Sequence, residues 1–272
     1  MARPLIAFRI PLRVPFRGVT AREGLLLSGP GGWGELSPFP DYDHLRARRW
    51  LDATLEAARG AWPAPVRDAV PVNVTVPAVA PARAHAIVTS SGCSTAKVKV
   101  AEGDDVARVE AVRDALGPRG RLRIDANGAW DEDAAAAAIR SLARFELEYV
   151  EQPVPTLEAM ARLRRRVDVP LAADESVRTA RDPARVRAAG AADVVVLKAH
   201  PLGGVAASLE VAEACGLPVV VSSALETSVG LAAGVALAAA LPELPFACGL
   251  GTASLLAGDV VAEPLVPSTA GR

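Results

Sequence analysis

The chain has 272 residues, 51% of them hydrophobic, and 30 basic against 31 acidic residues leave a formal net charge of −1. This balance excludes the strongly basic surface that nucleic acid or an anionic membrane attracts, and the apolar runs fall short of the ~20 residues of a membrane span. Cys93, Cys215 and Cys248 are too widely spaced for a disulfide framework or a Cys-x-x-Cys site. We therefore expect a cytoplasmic protein without an obligate protein partner.

Residues 1–70 are predicted to form a small α+β capping domain. Two strand-like runs are separated by the arginine-rich stretch Arg17 to Glu23, and Gly-Pro-Gly-Gly at 29–32 indicates a hairpin turn. A helix is predicted next, because apolar residues recur there at helical spacing. The strand-like runs lie at 5–14 and 24–36, the helix at 43–59, and its apolar positions are Leu45, Trp50, Leu51 and Leu55.

Residues 71–254 show the alternation of short apolar strands and alanine-rich helices that is typical of an α/β (β/α)8 barrel of the TIM type. The candidate strands are VPVNVTVPAV, STAKVKV, GRLRIDAN, FELEYVEQP, VPLAADES, ADVVVLKA, LPVVVSS and LPFACGL, and helices are predicted at 104–115, 131–144, 156–166, 181–189, 204–215 and 227–240. The tail, 255–272, is expected to pack on the capping domain or to fray.

Three acidic residues end apolar runs at nearly equal intervals. Asp125, Glu151 and Asp174 are 26 and 23 residues apart, while Lys99 lies 26 residues before this trio and Lys198 lies 24 residues after it. Consecutive strand ends of a parallel barrel point into one shared cavity. Three carboxylates there form a site for a hard cation such as Mg²⁺, and flanking lysines can move protons.

Further polar residues share the faces of these strand ends. Lys97 is two residues from Lys99, and Asn127 two from Asp125, so each pair points the same way. Inward lysines are too costly as mere packing residues, and crowding by positive charge is expected to lower the pKa of a lysine. Taken singly, Asp-Ala-Asn-Gly reads equally well as an ordinary turn and Asp-Glu-Ser as a helix N-cap. The regular spacing favours function.

The ends of the seventh and eighth strands supply candidate anion-binding residues, because glycine and backbone N–H groups there let a substrate carboxylate approach. Routine turns explain these sequences as well. Arg17 and Arg22 are candidates for closing over the site, and the three histidines show no metal-ligand spacing. The strand-end candidates are Ser222, Ser223, Gly249, Gly251 and Thr252, and the histidines, expected at the surface or behind the site, are His44, His85 and His200.

One strand carries an unusual residue into the predicted barrel interior. If Asp125 faces inward, strand alternation also turns Arg123 and Arg121 inward and sends Leu122 and Ile124 toward the helices. A buried arginine needs a partner, and the sequence does not identify it.

The strand-end motifs K-V-K, D-A-N, E-Q-P, D-E-S and L-K resemble those of the enolase superfamily, in its muconate-lactonising subgroup, and the Gly-Trp-Gly-Glu-Leu-Ser-Pro sequence at 32–38 resembles its capping domain. The resemblance implies that Asp125, Glu151 and Asp174 bind Mg²⁺, with Mn²⁺ as a substitute. It also implies that Lys99 is the acid/base on one face of a substrate carboxylate and that Lys198 stands on the other face.

Within this subgroup the sequence is most similar to the o-succinylbenzoate synthases, through PFRGVTAREG (15–24), GWGELSPFPDYD (32–43), SSALETSVG (222–230) and GLGT (249–252). This implies a lyase that dehydrates 2-succinyl-6-hydroxy-2,4-cyclohexadiene-1-carboxylate to 2-succinylbenzoate in menaquinone biosynthesis. An N-acylamino acid racemase or dipeptide epimerase is the alternative, although Cys248-Gly249-Leu250 replaces their Asp-x-Asp. A second alternative is a non-catalytic barrel that binds metal or small acids.

Overall fold

The computed structural model of the chain describes residues 4–177, 182–268 and 271. At its N-terminal end, an antiparallel sheet is covered by a helix, α1 (His44–Arg59), that packs against its last strand. Asp43 caps this helix, since its carboxylate accepts a hydrogen bond from the Arg46 amide at 2.8 Å. The strands are β1 (Leu5–Phe16), β2 (Val19–Gly29) and β3 (Gly32–Leu36). We call residues 5–59 the cap.

The turn between β1 and β2 corrects the sequence prediction. Arg17 and Gly18 both have positive φ angles, 49° and 73°, as a two-residue hairpin turn of the I′ type requires. Because the turn occupies only two residues, most of the stretch 17–23 lies in β2 and pairs with β1 instead of separating the strands. The predicted turn at 29–32 is confirmed, since Gly29 pairs with Gly32.

Helix α1 is present where the sequence predicts it, but its buried face differs. Leu45 and Leu51 are 69% and 40% exposed, whereas Trp50 and Ala53 are buried. The cause is a close approach of helix and sheet, because a Cβ atom at Gly34 would lie 2.1 Å from the carbonyl oxygen of Thr54. Small side chains are therefore required where the helix meets β3.

A parallel sheet follows the cap, with its strands neighbouring one another in chain order. These strands are β4 (Val74–Val76), β5 (Thr95–Lys99), β6 (Arg121–Asp125), β7 (Leu147–Glu151), β8 (Leu171–Ala173), β9 (Val194–Leu197) and β10 (Val219–Val221). The helices around them are α2 (Pro81–Ser91), α3 (Asp105–Leu116), α4 (Glu132–Leu142), α5 (Leu157–Arg164), α6 (Asp182–Ala189), α7 (Ala199–Leu202), α8 (Val205–Cys215) and α9 (Ser228–Ala240). Residue 181, the predicted start of α6, lies outside the described residues.

None of the helices within the described ranges combines the length and the apolar character that crossing a membrane requires.

The barrel closes through two residues rather than through a full eighth strand. The predicted strand LPFACGL is fully described by the structure and forms only isolated parallel bridges, from Cys248 to Val72 and from Gly249 to Ser222. Four backbone hydrogen bonds of 2.7–3.0 Å join this segment to the two edges of the sheet. Pro242 and Pro245, which cannot donate to a ladder, precede the bridges and keep the segment short. The result is a capped TIM-type barrel.

The partner of the inward arginine is a group of residues that we call the barrel floor (Asn73, Arg123, Glu148 and Tyr149). Arg123 is fully buried and donates to Glu148 at 2.5 Å and to the side-chain oxygen of Asn73 at 3.2 Å. Its guanidinium lies 4.7 Å from the centre of the Tyr149 ring. Arg121, also predicted to face inward, is exposed because it begins β6, at the end of the strand opposite the active face.

The tail touches both parts of the chain. Leu256 forms an antiparallel bridge with Leu12 of β1, and the Leu265 amide donates to the Ser228 hydroxyl of α9 at 2.7 Å. Residues 269, 270 and 272 of the predicted tail lie outside the described residues.

Candidate active site

The strand register explains the even spacing of the lysines and carboxylates. Lys99 pairs with Asp125, and Asp125 with Glu151, as Cα partners of the parallel ladder, so these residues end β5, β6 and β7 at one height. Asp174 and Lys198 directly follow β8 and β9. The three carboxylates are buried, with at most 1% of each residue exposed. We call these residues, together with Lys97, the active face.

Lys97 lies deepest among the lysines of the active face. Its Nζ donates to both carboxylate oxygens of Glu151, at 2.7 and 2.8 Å, and lies 3.4 Å from Oδ2 of Asp125. Burial lowers the pKa of Lys97, but the negative charges of Glu151 and Asp125 outweigh burial and leave this pKa above its ordinary value. The nearest charged neighbours of Lys97 are carboxylates, so a lysine pKa lowered by a second ammonium group and a bound divalent cation stays a prediction.

Lys99 and Lys198 approach the carboxylates from separate strands and reach the open space above them. Nζ of Lys99 donates to Asp125 at 2.5 Å and also to the side-chain oxygen of Asn127, while Nζ of Lys198 donates to Asp174 at 2.6 Å. Each lysine keeps 14% of its side chain exposed. Both ammonium groups are thus held in place and still accessible to a small molecule.

The carboxylates of the active face have different proton affinities. Burial raises the pKa of Asp125, but Lys99 and Lys97 reverse the effect and lower it to about 2. At Glu151, burial has the largest effect; Lys97 lowers the pKa, the negative charges of Asp125 and Asp174 raise it, and it settles at about 7. The cluster therefore has a shortage of positive charge at Glu151, which an additional cation would relieve.

The donor set fits an oxygen-preferring divalent cation. The candidate ligands are three buried carboxylates at neighbouring strand ends, with no thiolate or imidazole among them, which suits Mg²⁺ or Mn²⁺ better than zinc. As the side chains stand, no three acidic, histidine or cysteine residues of the described part of the chain converge on a common metal position. Lysine ammonium groups join the carboxylates instead, as the contacts above show.

A cleft opens above the active face, between cap and barrel. It brings together most of the polar residues that the sequence analysis put forward as candidates, including Lys97, Asn127 and Arg17. Among the described residues, its lining is Phe16, Arg17, Phe39, Tyr42, Thr75, Lys97, Lys99, Asp125, Asn127, Glu175, Lys198, Ser222, Ser223, Ala224, Leu225 and Thr252. The histidines (His44, His85 and His200), all within the described residues, do not line it.

The loops that follow the seventh and eighth barrel positions contribute hydroxyl groups rather than glycines to this cleft. Ser222, Ser223 and Thr252 line it, and the hydroxyls of Ser223 and Thr252 lie 2.7 Å apart. Gly249 and Gly251 are absent from the described cleft wall. A Cβ atom at Gly249 would lie 2.4 Å from the Ser222 hydroxyl oxygen, so this glycine serves the close packing of the two loops.

The cap supplies an aromatic wall that the sequence analysis did not identify. The guanidinium of Arg17 lies 3.9 Å from the centre of the Phe39 ring and donates to the Tyr42 hydroxyl at 3.4 Å. Phe16, the last residue of β1, directly precedes the hairpin turn, and its ring centre lies 4.9 Å from Nζ of Lys99. The clustering of aromatic residues in the short segment that follows β3 is the signal that could have found Phe39 and Tyr42.

Behind the cleft wall, a buried polar network joins the cap to the barrel. Glu35 of the cap accepts from the amide and hydroxyl of Thr227, and Arg22 donates to the carbonyl oxygen of Leu225 at 3.0 Å. His200 lies 3.1 Å from Glu226, and its ring is 5.0 Å from that of Trp50. Arg22, a candidate for closing over the site, is thus buried in this network and absent from the described cleft wall.

Two families of known proteins match the chain. The Enolase N-terminal domain-like family matches residues 7–58, and the Enolase C-terminal domain-like family matches residues 80–270. The o-succinylbenzoate synthase of Thermobifida fusca is 68% identical over 266 residues, which cover 96% of this chain and 84% of that protein. The chain belongs to the o-succinylbenzoate synthase family of the enolase superfamily.

Other members of the superfamily agree with this assignment. The o-succinylbenzoate synthase of Mycolicibacterium smegmatis is 54% identical over 265 residues, covering 95% of this chain and 81% of that protein. The crystal structure of the dipeptide epimerase from Enterococcus faecalis, complexed with Mg and a dipeptide, superimposes with a TM-score of 0.83 at 23% identity, covering 99% and 94% of the two chains. At that identity the likeness shows the shared capped-barrel fold.

Proposed function

We propose that this enolase-superfamily enzyme performs its reaction with the lysines and carboxylates of the active face. The chain is a lyase with o-succinylbenzoate synthase activity, which removes water from 2-succinyl-6-hydroxy-2,4-cyclohexadiene-1-carboxylate to give 2-succinylbenzoate, in menaquinone biosynthesis. The observation that carries this function is the 68% identity to an o-succinylbenzoate synthase across nearly the whole chain. Its substrate is accordingly a small molecule that carries carboxylates.

Lys99 is proposed as the residue that moves both protons. Its neutral amine removes the proton on the carbon next to the substrate carboxylate, which becomes an enediolate. The resulting ammonium then gives this proton to the hydroxyl on the same face, the carbon–oxygen bond breaks, and water leaves as the ring becomes aromatic. The contacts of Lys99 with Asp125 and Asn127 support this role, because they orient Nζ at the edge of the cleft.

Lys198 is proposed to stabilise charge from the opposite side. Its Nζ is anchored by Asp174 at 2.6 Å and lines the same cleft as Lys99. An ammonium group fixed there stabilises the negative charge that develops on the substrate, and it can also lie over the ring as a cation. Only one base is needed for a syn elimination, so Lys198 transfers no proton in this reaction.

The carboxylates of Asp125, Glu151 and Asp174 are proposed to bind the divalent metal on which enzymes of this superfamily generally depend. Mg²⁺ is the proposed ion, with Mn²⁺ as a substitute, because the donors are oxygens only. When bound, the metal supplies positive charge that stabilises the carboxylate as an enediolate. Lys97 then holds Glu151 in position, as its two hydrogen bonds indicate.

The remaining polar residues around the cleft are proposed to bind the substrate's succinyl and carboxylate groups. Their assigned members are Arg17, Asn127, Ser222, Ser223 and Thr252, with Gly249 and Gly251 supporting the loops. We further propose that the protein acts in the cytoplasm without nucleic acid, membrane or an obligate protein partner. The capping domain is proposed to end near residue 70, with the barrel spanning 71–254.

Racemisation of N-acylamino acids is the second candidate function, because Lys99 and Lys198 could act as two bases. The two reactions separate in D₂O with Mg²⁺, using the cyclohexadiene substrate and, in parallel, N-succinylamino acids. We expect fast appearance of 2-succinylbenzoate by ultraviolet absorbance and slow or absent loss of optical rotation. Efficient racemisation without aromatic product would overturn the proposed reaction.

A variant of Lys198 sharpens this test. Lys198→Met keeps the length of the side chain and removes its charge, so dehydration should slow through lost electrostatic stabilisation. Exchange of the α-proton with solvent on the Lys99 face should continue. In a two-base racemase, the same variant would block exchange from one enantiomer and leave it intact from the other.

A further inference from the structure

The loop that follows β10, residues 222–227, forms one wall of the cleft and has a backbone conformation that is rare for its sequence. Ala224 and Leu225 line the cleft and are 5% and 2% exposed. Leu225 has a φ angle of 66°, in the left-handed region that residues other than glycine seldom adopt. Such a conformation persists only where surrounding contacts hold it.

The barrel provides part of this support. The carboxylate of Glu226 accepts from the Ala224 amide at 2.7 Å, and its other oxygen lies 3.1 Å from Nδ1 of His200. The Ser223 hydroxyl, itself within hydrogen-bond distance of Thr252, accepts from the Leu225 amide at 3.4 Å. These contacts fix the amides of the loop and leave the Leu225 carbonyl for a donor from elsewhere.

That donor comes from the cap. Arg22 of β2 is 1% exposed, and its Nε donates to the Leu225 carbonyl oxygen at 3.0 Å. Its Nη2 donates to the carbonyl and hydroxyl oxygens of Ser37, and the guanidinium lies 4.4 Å from the centre of the Phe39 ring. Nη2 of Arg22 is therefore anchored within the cap at two points, and Nε is directed at the strained residue of the loop.

We propose that Arg22 is a positioning residue for the substrate cleft: it holds Leu225 in the left-handed conformation that sets the wall made by Ala224 and Leu225. It acts through the Leu225 carbonyl and has no place in the described cleft lining. The proposal rests on the proposed function only in taking this cleft as the substrate site. It makes one contact from the cap, the hydrogen bond from Arg22 to the Leu225 carbonyl, a condition for the shape of a barrel loop.

Glu35 offers a matched control at the same interface. It is also a cap residue, 1% exposed, and bonds to the barrel through the Thr227 hydroxyl at 2.5 Å and the Gly230 amide at 3.0 Å. Thr227 ends the loop and Gly230 lies in the first turn of α9, so Glu35 attaches the cap without a hydrogen bond to Ala224 or Leu225. Glu35→Gln should weaken cap docking without changing the conformational demand on residue 225.

The test compares glycine and alanine at position 225 in two backgrounds, with steady-state kinetics of the cyclohexadiene substrate. Arg22→Met should raise KM by about 5- to 30-fold, the factor that corresponds to the cost of a left-handed non-glycine residue, and change kcat less than twofold. Leu225→Gly and Leu225→Ala should behave alike when Arg22 is present. In the Arg22→Met background, Leu225→Gly should have the lower KM by a similar factor, because only glycine keeps the left-handed conformation without support.

Hydrogen–deuterium exchange without substrate gives a second readout that does not depend on the reaction. Arg22→Met should speed amide exchange in residues 223–226 by tenfold or more. Glu35→Gln should instead speed amide exchange in residues 227–231. If the exchange pattern holds and no 2-succinylbenzoate is formed, the proposed function is wrong and the role of Arg22 stands. If Arg22→Met fails to fold, Arg22→Lys takes its place, since a lysine can reach only one of the acceptors of Arg22. In that background Leu225→Gly should again have a lower KM than Leu225→Ala, by a smaller factor.

Equal KM values for the glycine and alanine variants in the Arg22→Met background would overturn the proposal. So would the same preference for glycine in the Glu35→Gln background, because it would assign the effect to cap docking in general. A fall in kcat at unchanged KM, which is the result of a smaller folded fraction, would also contradict a positioning role.

Discussion

The interior of the barrel contains buried charged side chains at two levels, the floor and the active face, and these side chains have different kinds of partner at the two levels. At the floor, Arg123 meets a carboxylate, an amide oxygen and an aromatic ring, all supplied by the protein. Two residues further along the same strand, Asp125 belongs to a cluster in which lysines and carboxylates bond to one another beside an open cleft. The floor therefore has fixed partners, whereas an incoming ligand can replace those of the active face.

The kind of partner distinguishes a structural buried charge from a functional one more clearly than the degree of burial does. Arg123 and Asp125 are both 0–1% exposed. At the active face, neighbouring carboxylates hold opposite proton affinities, with the pKa of Asp125 at about 2 and that of Glu151 at about 7. Acid–base chemistry and cation binding require that carboxylates of one cleft lie in different environments, which give them different pKa values.

Metal removal should have the largest effect on the active face and little on the floor. A chelator should abolish turnover, and Mg²⁺ or Mn²⁺ should restore it, since the proposed ligands are hard oxygen donors. Asp125→Ala, Glu151→Ala and Asp174→Ala should each abolish turnover while circular dichroism shows a folded barrel. Full turnover by the metal-stripped enzyme would contradict the metal site.

Replacing Lys99 should have the next largest effect. Lys99→Ala should lower kcat by at least about 10²- to 10⁴-fold, the usual contribution of a general acid or base, with the melting temperature little changed. Lys99→Arg should restore little, because a guanidinium does not deprotonate at working pH. If Lys99 variants stay active while Lys97→Ala is inactive, the roles of the two lysines are reversed.

The floor should respond in the opposite way. Arg123→Met leaves the largely buried carboxylate of Glu148 without its cation, so the free energy of unfolding should fall by about 3–5 kcal/mol, while kcat of the folded fraction stays near that of the wild type. Arg121→Met, at the exposed start of the same strand, is the matched control and should change stability by less than about 0.5 kcal/mol. Denaturant titration measures both. Equal effects of the two variants would remove the distinction between the two levels.

The pair of His200 and Glu226 should contribute to stability, as the floor does, and its contribution to the free energy of unfolding should depend slightly on pH. Burial lowers the pKa of His200, but the hydrogen bond and charge of Glu226 outweigh it and raise this pKa above 6.5. Burial raises the pKa of Glu226, and His200 lowers it below 4.5. The nearby Glu35 favours the histidine's positive charge and Arg22 opposes it.

The raised pKa of His200 contributes stability that is complete below pH 6.5 and is lost as pH rises through the folded-state value. The contribution of Glu226 is present above pH 4.5 and is lost on acidification. The wild type should therefore exceed His200→Gln in free energy of unfolding more at pH 5.5 than at pH 9. A wild-type advantage that grows with pH would contradict the assignment.

The sequence predicts that Lys99, Asp125 and Glu151 lie side by side, because each ends a strand of a repeating β/α unit and the unit fixes the height of the strand ends. Lys99, Asp125 and Glu151 become Cα partners without any long-range information. The hairpin turn was not predicted, since arginine at Arg17 gives no sign of a positive φ angle.

The cap–barrel network lies beyond prediction for another reason. Arg22 and Leu225 are 203 positions apart, and Glu35 and Thr227 are 192 apart. No local periodicity links such residues, and glutamate or arginine in a strand otherwise predicts exposure to solvent. The aromatic wall around Phe39 depends in the same way on how the cap meets the barrel.

Barrel closure through Cys248 and Gly249 has a consequence for how the chain folds. The seam joins them to Val72, near the start of the barrel, and to Ser222 by isolated bridges instead of a long ladder. The contact between Val72 and Cys248, which lie far apart in sequence, forms late because the entropy of closing the intervening chain must be overcome first. During synthesis, the open sheet exposes its edges until residue 249 has left the ribosome, so this seam is where aggregation and chaperone recognition compete with completion of the barrel.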